Sequence, residues 1–229
     1  MTSLSATLSG AYDVSDADSI KTFLELGSPF IADGMQQLGL PRRIADPALR
    51  PLIPDKRLAG TVVTLRLDYY PTAPTPHPYV FNTAFEQAAQ VTSPILVTES
   101  RLGLRSPFGG GASRSFVHAG LSGVIIDGCI RDTADVTAQG MQMFYRQIST
   151  DSFLGRMPEG YVGAETAIDV DIGEVRVLPG DLVVADEDGI VFCAAAAAVI
   201  EAARAIETEE EQIFARWDAG DGYLKGLGL

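Results

Sequence analysis

The chain reads as an α/β protein, and three patterns predict it. β-Branched apolar runs alternate with helix-like segments through the first two thirds of the sequence. Short apolar runs separated by Gly and Asp turns follow, which suits mixed or antiparallel pairing in the second half. No internal repeat and no linker divides the sequence, so its 229 residues are expected to build one core with decorations. Residues 1–229 are accordingly expected to be a single domain, with 1–29 as an N-terminal helical extension and 194–229 as a C-terminal helix and tail.

Residues 16–26 predict a short helix closed by Gly27. Ser28 and Pro29 open a second, on which Ile31, Met35 and Leu38 share a face before Gly39. Residues 58–67 are β-rich, with Gly60 at a bend. Pro71, Pro74, Pro76 and Pro78 force residues 68–78 into an extended edge loop where a substrate-facing lid could sit. Residues 82–89 read as helix, 94–99 as a buried strand, and 113–119 as a helix feeding the strand 124–127. That strand is expected to end in an Asp127-Gly128 turn. A short helix over 133–139 stops at Gly140, and 141–145 form the next strand. Residues 175–178, 182–185 and 190–192 read as strands joined by turns at 179–181 and 186–189. A long helix covers about 194–217, with Val199, Ile200, Ala203, Ile206, Ile213 and Trp217 on its apolar face.

Composition narrows the function. Hydrophobic residues at 46% and charged residues at 21% fit a folded protein rather than a disordered one. A formal net charge of -13 argues against nucleic acid and against an anionic membrane surface as partners. A local Arg or a metal can still reverse the field for an acidic ligand. Cys129 and Cys193 are the only cysteines, which excludes a disulfide framework and a Cys-based zinc site. The two histidines, His77 in the proline-rich loop and His118 on a helix, argue against a His-rich metal site or a serine-type triad. The chain start lacks the basic-then-apolar order of a signal peptide. The longest apolar run, 191–200, is too short to span a bilayer, so a cytoplasmic location is the default expectation.

The most informative segment is 123–132, Gly-Val-Ile-Ile-Asp-Gly-Cys-Ile-Arg-Asp. A buried strand of this kind delivers a fixed cation, Arg131, and a carboxylate, Asp132, to the edge of a sheet where ligands tend to bind. The guanidinium can grip a carboxylate or enolate oxygen, and the carboxylate can hold a hard divalent metal. An Asp-Gly turn followed by a structural salt bridge would use the same residues. Just upstream, Phe108-Gly-Gly-Gly-Ala-Ser-Arg114 is a Gly-rich turn opening a helix, whose N–H groups can bind an anion. It matches neither the P-loop nor the dinucleotide fingerprint. Asp186-Glu187-Asp188-Gly189 resembles a calcium loop only superficially, because no spaced carboxylates follow, and it reads as a hairpin turn. The acidic run 207–211 reads as a solvated helix face, though one carboxylate could reach a neighbouring subunit.

Four segments in this order resemble the RraA-like family: Ile31-Ala-Asp33-Gly-Met, Leu58-Ala-Gly60-Thr-Val-Val-Thr64, residues 123–132, and residues 179–191. That family includes class II pyruvate aldolases acting on 4-hydroxy-4-methyl-2-oxoglutarate and 4-carboxy-4-hydroxy-2-oxoadipate, and the regulator of ribonuclease E activity. The resemblance covers about 30–211. It implies a swivelling β/β/α domain, an RraA-like sandwich of sheets flanked by helices, assembled as a homotrimer or a dimer of trimers with active sites between subunits. It gives Asp132 the role of ligand to Mg2+ or Mn2+ and Arg131 that of holding the 2-oxo group. The turn formed by Gly109, Gly110, Gly111, Ala112 and Ser113 would meet the pyruvyl carboxylate. The implied reaction is retro-aldol cleavage of a 4-hydroxy-2-oxo acid to pyruvate, with oxaloacetate decarboxylation as a second activity through the same enolate.

The sequence departs from the family at one point. Aldolases commonly have Gly-Glu where this chain has Gly109-Gly110, and Arg101 and Arg105 stand nearby as alternative readers of a substrate carboxylate. The general base stays open among Asp33, Glu99 and a carboxylate of the last helix. The alternative from another class is a non-catalytic regulator that binds a ribonuclease or helicase. The family's non-catalytic regulators tend to lose the aspartate that Asp132 retains here, which favours the enzyme.

Overall fold

A computed structural model describes residues 17–70, 81–153, 156–157 and 160–228. The expected loop over 71–78, with His77, lies outside them, as does Asp16 at the expected start of the first helix. Helix α1 (Ala17–Gln37) is followed by β1 (Arg50–Pro51), β2 (Leu58–Tyr70), α2 (Asn82–Ala88), β3 (Pro94–Ser100), α3 (Gly110–His118), β4 (Gly123–Ile130), α4 (Thr133–Ala138) and β5 (Met143–Ile148). The second part contributes β6 (Arg156–Met157), β7 (Gly160–Thr166), β8 (Val170–Ile172), β9 (Val175–Val177), β10 (Leu182–Ala185), β11 (Ile190–Cys193), α5 (Ala196–Asp218) and α6 (Tyr223–Gly226).

β2 organises the sheet because it has two sets of partners on one side. It pairs parallel with β3 along its length, while its first residues pair antiparallel with β10 and its last residues with β7. The parallel block β2-β3-β4-β5 is extended by β1 at one end and by β10-β11 at the other. Period-two alternation then separates the cores. Val63, Leu65 and Leu67 of β2 face α2, α3 and α4, in a cluster that includes Phe108, Phe116 and Val136. Val62 faces the opposite way, toward Ile95, Ile125 and the β8-β9 pair. A third cluster joins α1 and α5 to β10 and β11 through Phe23, Ile31, Val184 and Val199.

Most sequence expectations survive, with four corrections. β2 runs on through Tyr70 instead of giving way to loop at residue 68, because β7 supplies a partner as far as Tyr70. β7 itself, Gly160–Thr166, carries two glycines and little hydrophobic alternation, so its sequence hides it. β4 does not end at Asp127. It continues to Ile130, and the register with β5 shifts between Ile126 and Cys129, which makes Asp127-Gly128 a bulge inside the strand. Gly128 is required there by space: a Cβ would stand 2.6 Å from the Ser100 Cβ. Leu38, expected beside Ile31 and Met35, is 44% exposed, because α1 ends at Gln37.

The expected helix break at Gly27 is present as a kink with φ 77° and ψ 175°. Asp186 of the β10-β11 turn holds it. The buried Asp186 carboxylate accepts hydrogen bonds from Ser28 N–H at 2.7 Å and Ser28 Oγ at 2.6 Å, and from the Asp188 and Gly189 N–H groups. One side chain thus makes the hairpin turn expected at 186–189 and starts the second half of α1. Among the described residues no helix is long and apolar enough to cross a membrane.

Removing Asp186 strands buried donors on two elements at once. Asp186→Ala is expected to cost about 3 kcal/mol of stability. A lower urea midpoint with an unchanged slope is the corresponding measurement.

Candidate active site

Beyond its bulge β4 runs past the last residue paired with β3, while β5 stays paired with it to Ile148. There, Phe108 forms an isolated parallel bridge with Ile130, and Arg131 N–H donates to the Phe108 carbonyl at 2.8 Å. Phe108 is fixed in turn by packing. Its ring meets Phe116 of α3 edge-on at 5.0 Å, and Phe81 joins both. Ser106 Oγ donates to the Phe108 and Cys129 carbonyls and ties the two segments together from below. The Gly-rich turn and the end of β4 are therefore held side by side by backbone.

Asp132 follows with φ 52° and ψ 39°, a left-handed conformation in which Asp is one of the few tolerated side chains. As residue before α4 it is placed to cap that helix, yet it makes no cap hydrogen bond. Its Oδ2 instead accepts from the Gly110 N–H at 3.0 Å, at the start of α3. Gly109 is dictated by this contact. A Cβ there would lie 2.5 Å from Asp132 Oδ2 and 2.9 Å from Arg131 Cγ. Gly110 is nearly as tight, with 3.2 Å to Asp135 Oδ2.

Arg131 and Asp132 line an open cleft of about 430 Å³ together with Thr133, Ala134 and Asp135 of α4 and with Ile148, Ser149 and Thr150 at the end of β5. Arg131 Nε lies 3.6 Å from Asp132 Oδ2, and both side chains are about a third or more exposed, so this pair is weak and open to a ligand. The cleft sits at the carboxyl ends of the parallel strands β4 and β5, where open α/β sheets bind ligands.

The other expected site residues divide. Gly109 and Gly110 abut Asp132, but Gly111, Ala112 and Ser113 do not line the cleft. Ser113 is buried, its hydroxyl donating to Gln139 Oε1 at 2.7 Å, while Gln139 Nε2 donates to the Gly110 carbonyl and clamps α3 to α4. Asp33 is exposed on α1, in the helix layer with α5, and does not line the cleft. Glu99 points to the opposite face of the sheet and joins Arg66, with Nε at 2.9 Å, and Arg101, with Nε at 2.7 Å. Burial pushes its carboxyl up, but hydrogen bonds from Arg101, Arg66 and the Asp171 N–H outweigh this and hold it below the usual value. Arg101 is paired with Glu99 and Asp68, and Arg105 with Tyr69 and Asp151.

Asp127, expected in a turn that ends the strand, has a different task. Its carboxylate crosses to the far face, accepts from Arg146 and from the Gly173 N–H at 2.8 Å, and so pins the β8-β9 connection. Hydrogen bonds that Arg146 donates to Asp127 and Asp46 push its guanidinium far above its usual value. The sequence reading missed Thr133, Asp135, Ile148, Ser149 and Thr150. Only Asp135 had a visible signal: Asp132 and Asp135 are three residues apart, on one face of a helix start.

Fold and cleft together define a mixed α/β protein with a pocket of small-molecule size at the ends of its parallel strands. The profile of the RraA-like family, described as Aldolase/RraA, matches residues 12–192, and the chain belongs to that family. A relative from Deinococcus radiodurans, named "Putative 4-hydroxy-4-methyl-2-oxoglutarate aldolase", is 33% identical over 149 residues, covering 64% of this chain and 84% of that one. One of the same name from Burkholderia multivorans is 26% identical over 155 residues, covering 66% and 85%. Among solved structures, an uncharacterized protein from Pseudomonas syringae superposes with a TM-score of 0.73 at 21% identity over 94% of this chain and 99% of that one. Streptomyces coelicolor RraAS2, described as an unusual member of the RNase ES inhibitor RraA protein family, gives 0.71 at 21% identity over 90% and 98%. These likenesses establish the RraA-like fold.

The depressed Glu99 carboxyl makes a pH-dependent contribution to stability. A carboxylate whose folded value lies below its ordinary 4.5 stabilises the protein above that pH and loses the effect as pH falls through the folded value. Glu99→Gln is therefore expected to melt lower than the parent at neutral pH. The gap should close below pH 4.5, as followed by thermal denaturation across a pH series.

Proposed function

We propose that the protein is a divalent-metal-dependent carbon–carbon lyase that cleaves a 4-hydroxy-2-oxo acid to release pyruvate. The observation that carries this reading is the Arg131–Asp132 pair in one cleft, with the Asp132 carboxylate seated where a Cβ on residue 109 would have to go. The names of the relatives from Deinococcus radiodurans and Burkholderia multivorans support the reaction class.

The residues fit Mg2+ or Mn2+. Asp132 offers a hard oxygen donor, and the lack of a Cβ at Gly109 makes room for its carboxylate. A cation held by so few protein oxygens keeps most of its waters, as Mg2+ prefers. When bound, the metal supplies Lewis-acid stabilisation of developing negative charge.

The chain supplies the rest. Arg131 places a fixed positive charge where the 2-oxo oxygen gains charge as the C3–C4 bond breaks. The Gly111 and Ala112 N–H groups, in the first turn of α3 next to Gly110 but outside the cleft lining, would serve a substrate carboxylate that reaches past Asp132. A base takes the proton from the 4-hydroxyl, the C3–C4 electron pair moves into the enolate, and C3 then takes up a proton. Oxaloacetate decarboxylation, which passes through the same enolate, belongs to this site as a side activity. The working form is a homotrimer or homohexamer, in which a neighbouring subunit can close the open side of the cleft.

Purified protein is expected to release pyruvate from 4-hydroxy-2-oxo acids or oxaloacetate only when Mg2+ or Mn2+ is present. Asp132→Asn, which keeps a side chain suited to the left-handed backbone, should bring metal-dependent turnover to background while leaving the oligomer and the circular dichroism unchanged. No metal-dependent pyruvate from any of these substrates would sink the lyase reading and leave the non-catalytic regulator of the RraA type.

A further inference from the structure

Asp135 lies in the same cleft as Arg131 and Asp132, and the reaction as described gives it no role. Asp132 and Asp135 stand immediately before α4 and in its first turn, the spacing of a reciprocal helix cap. Neither is used that way. Asp132 makes no cap hydrogen bond and turns to Gly110 N–H. The Asp135 carboxylate is exposed, and no hydrogen bond or ion pair is assigned to it among the described residues. The two side chains flank residue 110: a Cβ placed there would be 3.7 Å from the Asp132 Cβ and 3.2 Å from both the Cβ and the Oδ2 of Asp135.

Charge makes the arrangement informative. Arg131 contributes one positive charge and the two aspartates two negative, so the cleft lining is anionic as it stands. An acidic substrate would be repelled. A divalent cation reverses the sign, and Mg2+ is commonly held by one or two carboxylates with most of its waters in place. Thr133, Ser149 and Thr150, which complete the lining, bring only hydroxyls and cannot substitute for a second negative charge.

We infer that Asp135 is the second carboxylate of the cation site: it holds the metal's water shell while Asp132 ligates directly, and its side chain occupies the space beside Gly110. The inference rests on the metal-dependent reading above and adds a positioning residue to it. Partners of a metal's outer shell typically contribute about 10- to 100-fold in affinity.

The test is Mn2+ titration of the substrate-free protein, read by the loss of the free-ion EPR signal. Asp135→Asn is expected to weaken Mn2+ binding about 10-fold or more, and Asp135→Glu to recover most of it. Gly110→Ala, which presses a methyl group against Asp135 Oδ2, should weaken binding in the same direction. Asp18→Asn, an exposed charge removed on α1, serves as the control and should bind Mn2+ like the parent. Parent-like Mn2+ affinity in Asp135→Asn, with Asp132→Asn no longer binding, overturns the role of Asp135 and leaves the lyase reading standing. A parent protein that takes up no Mn2+ overturns both.

Discussion

The hydrogen bond from Arg131 N–H to the Phe108 carbonyl fixes everything else at the cleft. It forces two chain segments, far from each other in helix and strand, to run side by side at the point where β4 leaves the sheet. With backbone touching backbone, the side chains on either flank have no freedom of placement. Gly109 must lack a Cβ, Asp132 must turn left-handed, and its carboxylate must meet the Gly110 N–H. The aromatic packing of Phe108 against Phe116 and Phe81 gives that contact rigid support in a dry environment, where a hydrogen bond holds its geometry best. A strained residue held by over-determined surroundings is the arrangement expected where preorganisation serves binding.

How much of this was legible depended on the range of the forces involved. Helices and strands with strong local periodicity were readable, including the break at Gly27 and the paired strands after residue 175. What escaped was decided by distant partners. β2 extends to Tyr70 because β7 arrives about a hundred residues later, and β4 passes Asp127 because β5 tolerates a bulge. The Arg131-Asp132 pair was visible as adjacent opposite charges after a buried strand, and the Gly-rich turn as a helix start. Their contact through Gly110 was not visible, since nothing local says that α3 begins against Asp132. Glu99 looked available in sequence because the cations that occupy it, Arg66 and Arg101, come from a neighbouring strand and from beyond its own.

Acidic side chains serve two purposes in this molecule, and location separates them. Asp127, Asp181, Asp186 and Glu99 are wrapped in donors: Asp181 accepts from Arg43 and the Leu178 N–H, much as Asp186 accepts from Ser28. Each fastens a turn or a loop to the sheet. Asp132 and Asp135 are underused by comparison, with one backbone donor and a weak ion pair between them. In a chain with a net charge of -13, these two carboxylates beside one arginine stand open to solvent in the cleft.

The double pairing of β2 also shapes the order in which the molecule can be made. β2, β3, β4 and β5 all lie before residue 149, and every residue of the cleft falls between 131 and 150. The parallel block can therefore assemble while β10 and α5 are still unmade on the ribosome, at about 5–20 residues per second. Until β10 arrives, the first residues of β2 offer an unpaired edge, and α1 lacks α5, against which it packs most extensively. Aggregation during synthesis is thus a hazard of the α1–β2 side of the molecule, while the cleft belongs to the part that settles first.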